Sequence, residues 1–218
     1  MALNKLKFSS INVTPVANQA IKFNSSANGF ETGSAGGAIT VIKKLTASSS
    51  SALSFVDGSS SVVLDNTYKE YLFIFNNIHP QTDAQKLTFQ GNASGGSGYN
   101  ETITSTFFRA YSEESGTTAL SYDTGGDQAQ GTSYQQISDS VGSDTDQCCS
   151  GFLHLFNPSS TTFVKHFIAR TNTYQSSDYS IDVFSSGYFN TTSAIDEIQF
   201  KMASGNIDSG TITLYGIN

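Results

Sequence analysis

The chain of 218 residues has no tryptophan, three prolines and two cysteines, and only 13% of its residues are charged. An average soluble domain carries about 25% charged residues. The shortage of Lys, Glu and Ala argues against helix bundles and coiled coils. No stretch approaches the roughly 20 apolar residues of a membrane-spanning helix. The two cysteines, Cys148 and Cys149, are neighbours. A bond between adjacent residues is strained and closes almost no loop, so two free thiols are expected. Their spacing does not suit a metal finger either. The first ten residues, MALNKLKFSS, lack the apolar core of a secretory signal. No run of 12 residues places apolar side chains at i, i+3, i+4 and i+7, and only SAIDEI offers a single helical turn.

Catalytic signatures are equally scarce. G-x-S-x-G, G-x-G-x-x-G and G-x-x-x-x-G-K are all missing, which removes the hydrolase elbow and the usual nucleotide cradles. The net charge is -7. An acidic chain is repelled by phosphate, so neither nucleic acid nor anionic lipid is an expected partner. No cofactor and no enzymatic activity are expected.

What the sequence does have is 19 Gly, 16 Phe and 10 Tyr among many Ser, Thr and Asn. Short runs rich in β-branched and aromatic residues follow one another from Ala38 onward at intervals of about 8–15 residues, the spacing of a sandwich or barrel. YLFIF (71–75) is apolar on both alternations, as in a strand covered on both faces. In 195–202, Ile198, Phe200 and Met202 alternate with Glu197, Gln199 and Lys201, giving one packed and one wet face. NPSS (157–160) predicts a hairpin between GFLHLF and TTFVKHF, and GNIDSG (205–210) predicts another between the last two strands. The expected fold is all-β: an antiparallel two-sheet, jelly-roll-like β-sandwich over residues 46–218. Residues 1–45 form an N-terminal arm, with one strand over LKFSSINVTP. The stretch ANQAIKFNSSANGFETGSAGG is too poor in regular apolar residues to order by itself.

Several residue groups invite functional readings. Tyr99, Tyr111, Tyr122 and Tyr134 lie in or beside Gly/Ser/Asn loops, a pattern suited to adaptable surface recognition, although Tyr also serves as a strand core residue. His154 and His166 lie on the two arms of the NPSS hairpin and would be neighbours if 154 pairs with 166. Two imidazoles without a third ligand make a poor metal site, and packing among Phe152, Phe156, Phe163 and Phe167 is the simpler expectation. Between Arg109 and Lys165 there is no Lys or Arg, while Glu113, Glu114, Asp123, Asp127, Asp139, Asp144 and Asp146 fall there. Long solvated acidic loops are expected. The D-x-x-x-x-D-x-D spacing of Asp139, Asp144 and Asp146 lacks the calcium-loop pattern. Asp182 and Glu197 read as outward strand residues, but a glycosidase needs only two nearby carboxylates. The strong stacking platform of Trp is missing, and Tyr can substitute for it.

Two stretches carry a resemblance. LKFSSINVTPVANQAIKFNSSANGFETGSAGG resembles the N-terminal segments of tail-fibre and other appendage proteins of tailed bacteriophages. The stretch from SSSSALSFVDG through EYLFIFNNIHP and LHLFNPSSTTFVKHFIART to GTITLYGI is similar to virion proteins of marine and cyanobacterial phages. The resemblance implies a structural protein of the virion, assembled in the host cytoplasm, and a homotrimer. An N-terminal arm bound to other virion proteins, with loops facing a host glycan or surface protein, is the expected arrangement. A tail appendage is favoured, with a capsid decoration or head fibre as the alternative. The alternative of another class is a lectin or glycoside hydrolase on the same sandwich. No site residue carries over from the resemblance.

Overall fold

The computed structural model describes residues 13–14, 20–33 and 38–218. The chain divides into two compact units, Met1–Ala38 and Ile39–Asn218. The strand Ile39–Thr46, assigned to the arm from sequence, pairs within the larger unit. The boundary therefore lies at Ala38/Ile39 rather than at 45/46. The strand expected over LKFSSINVTP lies outside the described residues except for Val13 and Thr14.

The smaller unit contains a hairpin of β1 (Ala20–Phe23) and β2 (Phe30–Gly33). An arm without regular structure was expected here. Cross-strand pairing supplies what the period did not: Phe23 lies opposite Phe30, and their rings stack at 4.9 Å. The turn closes through the Asn24 amide, which donates to the Gly29 carbonyl at 2.9 Å.

The larger unit runs β3 (Ile39–Thr46), β4 (Leu53–Val56), β5 (Glu70–Pro80), β6 (Leu87–Ala93), β7 (Ile103–Glu113), β8 (Thr118–Tyr122), β9 (Ala129–Gly131), β10 (Gln135–Gln136), β11 (Cys149–Phe156), β12 (Lys165–Gln175), β13 (Tyr179–Phe189), β14 (Ile195–Met202) and β15 (Ile207–Ile217). There is no helix among the described residues, and SAIDEI contributes the start of β14 instead of a helical turn. One sheet has the order β10-β6-β14-β4. The other has β3-β15-β5-β11-β12-β13-β7-β8, with β9 also on β7. The antiparallel pairs are nested: β3 with β15, β4 with β14, β5 with β11, β6 with β10. Eight strands paired in this way across two sheets form a jelly roll. Two insertions, β7–β9 and β12–β13, widen the larger sheet beyond its four jelly-roll strands.

Nesting explains one failed expectation. GNIDSG does not close a hairpin, because β14 and β15 belong to different sheets and the segment crosses between them. NPSS does close one, between β11 and β12, but its register pairs His154 with Ile168 rather than with His166. Both histidines face outward, His154 against Phe156 at 4.1 Å and beside Glu70, His166 against Tyr188.

The core is aromatic. Tyr71, Phe73 and Phe75 point inward from β5, and Phe200, Ile198 and Met202 from β14, all buried. Phe200 lies 5.2 Å from both Phe73 and Phe75 and 6.2 Å from Phe55 and Phe89. Edge-on aromatic packing of this kind adds to the gain from area burial. Phe89 extends the cluster to Phe167 at 4.9 Å. We expect Phe200→Ala to cost about 3–5 kcal/mol, as for large aromatic truncations in cores. Leu120→Ala, at a side chain 73% exposed on β8, should change stability by less than about 0.5 kcal/mol. Urea unfolding of both variants checks the contrast.

Candidate binding surface

The outer face of the smaller sheet is built by the same alternation that fills the core. When Ile198 and Phe200 point inward, Glu197, Gln199 and Lys201 must point outward. Ser54 lies beside Gln199 on β4, and Gln90 flanks it on β6. Over the β6 side of this face two loops fold down, and Gln90 holds both. Its Nε2 donates to the carbonyls of Glu101 (3.0 Å), Thr132 (3.2 Å) and Ser133 (3.0 Å). The first loop carries Tyr99 and the second Tyr134. Gly126, between β8 and β9, lets the segment leading to the second loop lie against β7 of the larger sheet, since a Cβ there would come within 2.5 Å of the Phe107 ring.

The two tyrosines meet with ring centroids 6.5 Å apart. The Tyr134 hydroxyl donates to Gln199 Oε1, whose Nε2 donates to Ser54 Oγ at 2.8 Å. Lys201 Nζ sits 4.2 Å from the centre of the Tyr134 ring, a favourable cation–π geometry. Burial, and then the hydrogen bond to Glu197, push the Tyr99 phenol up to about 12. Burial raises Tyr134 as well. The result is a fixed set of ring, amide, ammonium, carboxylate and hydroxyl groups on an open surface. An open depression of about 450 Å³ adjoins it, lined in part by Lys86, Thr88, Asp127, Tyr134 and Gln136.

The four tyrosines singled out from sequence thus separate. Tyr99 and Tyr134 come together. Tyr122 is exposed at the edge strand β8, where its hydroxyl donates to Asp127 on the rim of that depression. Tyr111 stacks on Tyr179 at 5.6 Å and packs against the buried trio Phe107, Ile181 and Val183, so its ring is structural. Sequence reasoning missed Gln90, Gln199, Lys201 and Glu197 as partners of the tyrosines. The wet side of the 195–202 alternation was the signal that could have found them.

The other candidates resolve differently. Asp139 is buried rather than solvated and accepts from Arg109 Nη1, while Asp123 lies 3.5 Å from Arg109 Nε. Asp144 and Asp146 are exposed. No group of three or more His, Cys, Asp or Glu suited to a metal occurs among the described residues. Cys148 and Cys149 are free thiols, and burial pushes Cys149 up to about 12. Asp182 is held by Arg170 on the outer face of the larger sheet. Glu197 is on the outer face of the smaller one, so the two cannot act as a pair. Glu101, the other carboxylate beside the tyrosine face, accepts from the Ala93 amide at 2.9 Å.

The chain matches no protein-family model, no curated protein and no solved structure.

Two phenols give the fold an alkaline limit. Tyr71, fully buried, is pushed up to about 12 by burial, as is Tyr99, against an ordinary value of 10.0. The folded chain keeps these protons when the unfolded chain has lost them. Their contribution is complete below pH about 10 and falls as pH rises through about 12. Urea midpoints measured from pH 8 to 11.5 should decline above pH 10. A flat profile would show that the two phenols titrate alike in both states.

Proposed function

We propose that the chain is a non-enzymatic structural subunit of a tailed-phage virion, carried as a homotrimeric, tail-fibre-like appendage. Its N-terminal segment anchors it to other virion proteins, and its outward face touches a neutral glycan on the host surface. The observation that carries the binding part is the Tyr99–Tyr134 surface. Aromatic rings beside fixed amide, hydroxyl and ammonium groups suit a polyol, whose C–H faces stack on rings and whose hydroxyls need donors and acceptors. A jelly roll is also a fold of viral capsid and lectin domains, although fold alone does not decide function. The resemblance of the KFNSSANGF and GTITLYGI phrases to phage appendage proteins supports the virion setting. A separate N-terminal unit, Met1–Ala38, is the natural anchor. A decoration on the capsid uses the same parts.

A second reading has one observation in its favour. Glu197 lies beside Tyr99 in the same surface, and a glycoside hydrolase needs a carboxylate next to a sugar-binding ring. That enzyme requires a second carboxylate about 5–10 Å away. Incubating the chain with polysaccharides and assaying reducing ends separates the readings, because the adhesin releases none.

Two tests bear on the proposal. Tyr134→Ala should weaken binding on a glycan array by about tenfold, or about 1.4 kcal/mol, with an unchanged far-ultraviolet spectrum. Deleting residues 1–37 should leave a chain that folds with its thermal midpoint nearly unchanged but no longer joins particles in immunolabelling. Normal assembly of the truncated chain would refute the anchoring role.

A further inference from the structure

The larger sheet ends in two open edges. β3 borders one side and β8 the other, with no strand beyond either among the described residues. Such edges carry unpaired amides and carbonyls, and proteins usually blunt them with charge, proline or a covering segment. Here both edges carry large apolar side chains. Ile39 and Val41 on β3 are 56% and 61% exposed, and Leu120 and Tyr122 on β8 are 73% and 53% exposed.

The hydrogen-bond phase of each edge follows from its inner ladder. In an antiparallel pair, residues bonded to the inner neighbour alternate with residues whose backbone groups face away from it. On the β8 side, the Glu113 amide donates to the Thr117 carbonyl and the Asp123 amide to the Phe107 carbonyl. Ala119 and Ser121 share that phase, so Leu120 and Tyr122 turn their amides and carbonyls to the open side. On the β3 side, the Ala47 amide donates to the Gly210 carbonyl. The alternate residues of β15 that follow also bond to β3, and the last of them, Gly216, lies opposite Thr40. Ile39 and Val41 therefore face the open side.

Their side chains also share one face of the sheet. Tyr122 and Leu120 lie opposite Phe108 and Ala110 on β7, and Phe108 stacks on Phe184 at the outer face. Val41 and Ile39 lie opposite Tyr215 and Ile217. These alternate with buried Leu214 and so stand on the outer face too.

Strand direction and charge complete the match. Every neighbouring pair from β3 to β8 is antiparallel, and the path holds eight strands. The two edge strands therefore run in opposite directions. A second copy set beside the first in the same orientation brings its β3 antiparallel to β8. Ile39 then falls opposite Tyr122 and Val41 opposite Leu120, each pair joined by two backbone bonds. The far end of β3, with exposed Lys44, runs toward the turn before β8, with exposed Glu114. Lys43 does not interfere, because its Nζ donates to the Ser60 carbonyl at 2.9 Å.

We propose that β3 of one copy pairs with β8 of the next, continuing the larger sheet from subunit to subunit. The contact joins two different edges, so it is heterologous and closes into a ring where the rotation allows. Three such contacts make the homotrimer proposed above, on which this inference rests.

The test is the solution mass of the full chain by light scattering at micromolar concentration, for the wild type, Val41→Pro and Leu120→Pro. Each proline removes an amide on the open side and none from the inner ladder, and edge strands accept proline. The circular dichroism spectrum should be unchanged. The Leu120→Ala variant keeps that amide. The expected result is a trimeric wild type and two monomeric variants. A monomeric or dimeric wild type overturns the homotrimer reading and this contact together. A trimeric wild type with either variant still trimeric overturns the contact alone. Should the proline variants fail to fold, a double variant, Val41→Cys with Leu120→Cys, decides. Its two thiols face each other across the contact on backbones about 5.5 Å apart, within reach of a disulfide. On mild oxidation, covalently linked trimers that neither single variant forms support the contact. Unlinked chains, or links in a single variant, overturn it.

Discussion

The ring of Phe200 is the constraint on which most of this molecule depends. It points between the sheets, packs on Phe73 and Phe75 of the facing sheet and is flanked within its own sheet by Phe55 and Phe89. Because side chains alternate along a strand, its position fixes the register of β14, and β14 is the strand that both β4 and β6 pair with. A slip of one residue would bury Gln199 and Lys201 and expose Phe200. The same slip would dismantle the tyrosine surface, whose amide and ammonium are those two residues. Core and candidate binding site are thus the two faces of one register, and the energy that holds the first in place orders the second.

The insertions set a different problem. The larger sheet extends past the four strands of the smaller one, so the inner side of the extension needs another cover. The loop between β8 and β11 provides it, and it brings backbone polar groups into the interior. Gln135, fully buried, resolves much of this. Its Nε2 donates to the carbonyls of Gly126 and Gln136 at 2.8 Å, and its Oε1 accepts from Ser105 Oγ at 2.6 Å. Arg109 and buried Asp139 tie the same loop to β7. Buried polar groups are tolerable when fully partnered and costly when not. The segment is therefore fastened by specific side-chain bonds in addition to the short ladders of β9 and β10. Tyr134 owes its fixed position to that fastening.

Sequence made the local features legible and left the nonlocal ones obscure. The alternation of 195–202, the central place of YLFIF in its sheet and the NPSS hairpin all follow from side-chain period and turn chemistry, and the structure has them, but YLFIF is covered on one face only, with Leu72 and Ile74 on the outer one. Nested pairing does not follow from either, because the partner of each jelly-roll strand is set by packing across the whole chain. GNIDSG therefore looked like a hairpin and is a crossing between sheets. The pairing of His154 was missed because the loop after Asn157 is longer than the NPSS turn suggested. Asp139 looked like its acidic neighbours until the fold brought Arg109 to it. Tyr99 and Tyr134 are far apart in sequence, and what joins them is Gln90, one polar residue in a strand that otherwise reads as ordinary.

The two outer faces of the sandwich differ in their chemistry. The face of the smaller sheet is polar, hydrogen-bonded within itself and open, so it can stay in water at no cost. The face of the larger sheet is mixed: the stacked rings of Phe108 and Phe184 lie beside the Arg170–Asp182 pair, His154 and His166. In a sandwich these faces point in opposite directions. A shallow open surface removes little area from water, so a single contact made through it is weak. The proposed homotrimer would carry three such surfaces, and avidity can exceed the single-site affinity by about 10²–10⁴ when the geometry allows simultaneous contact.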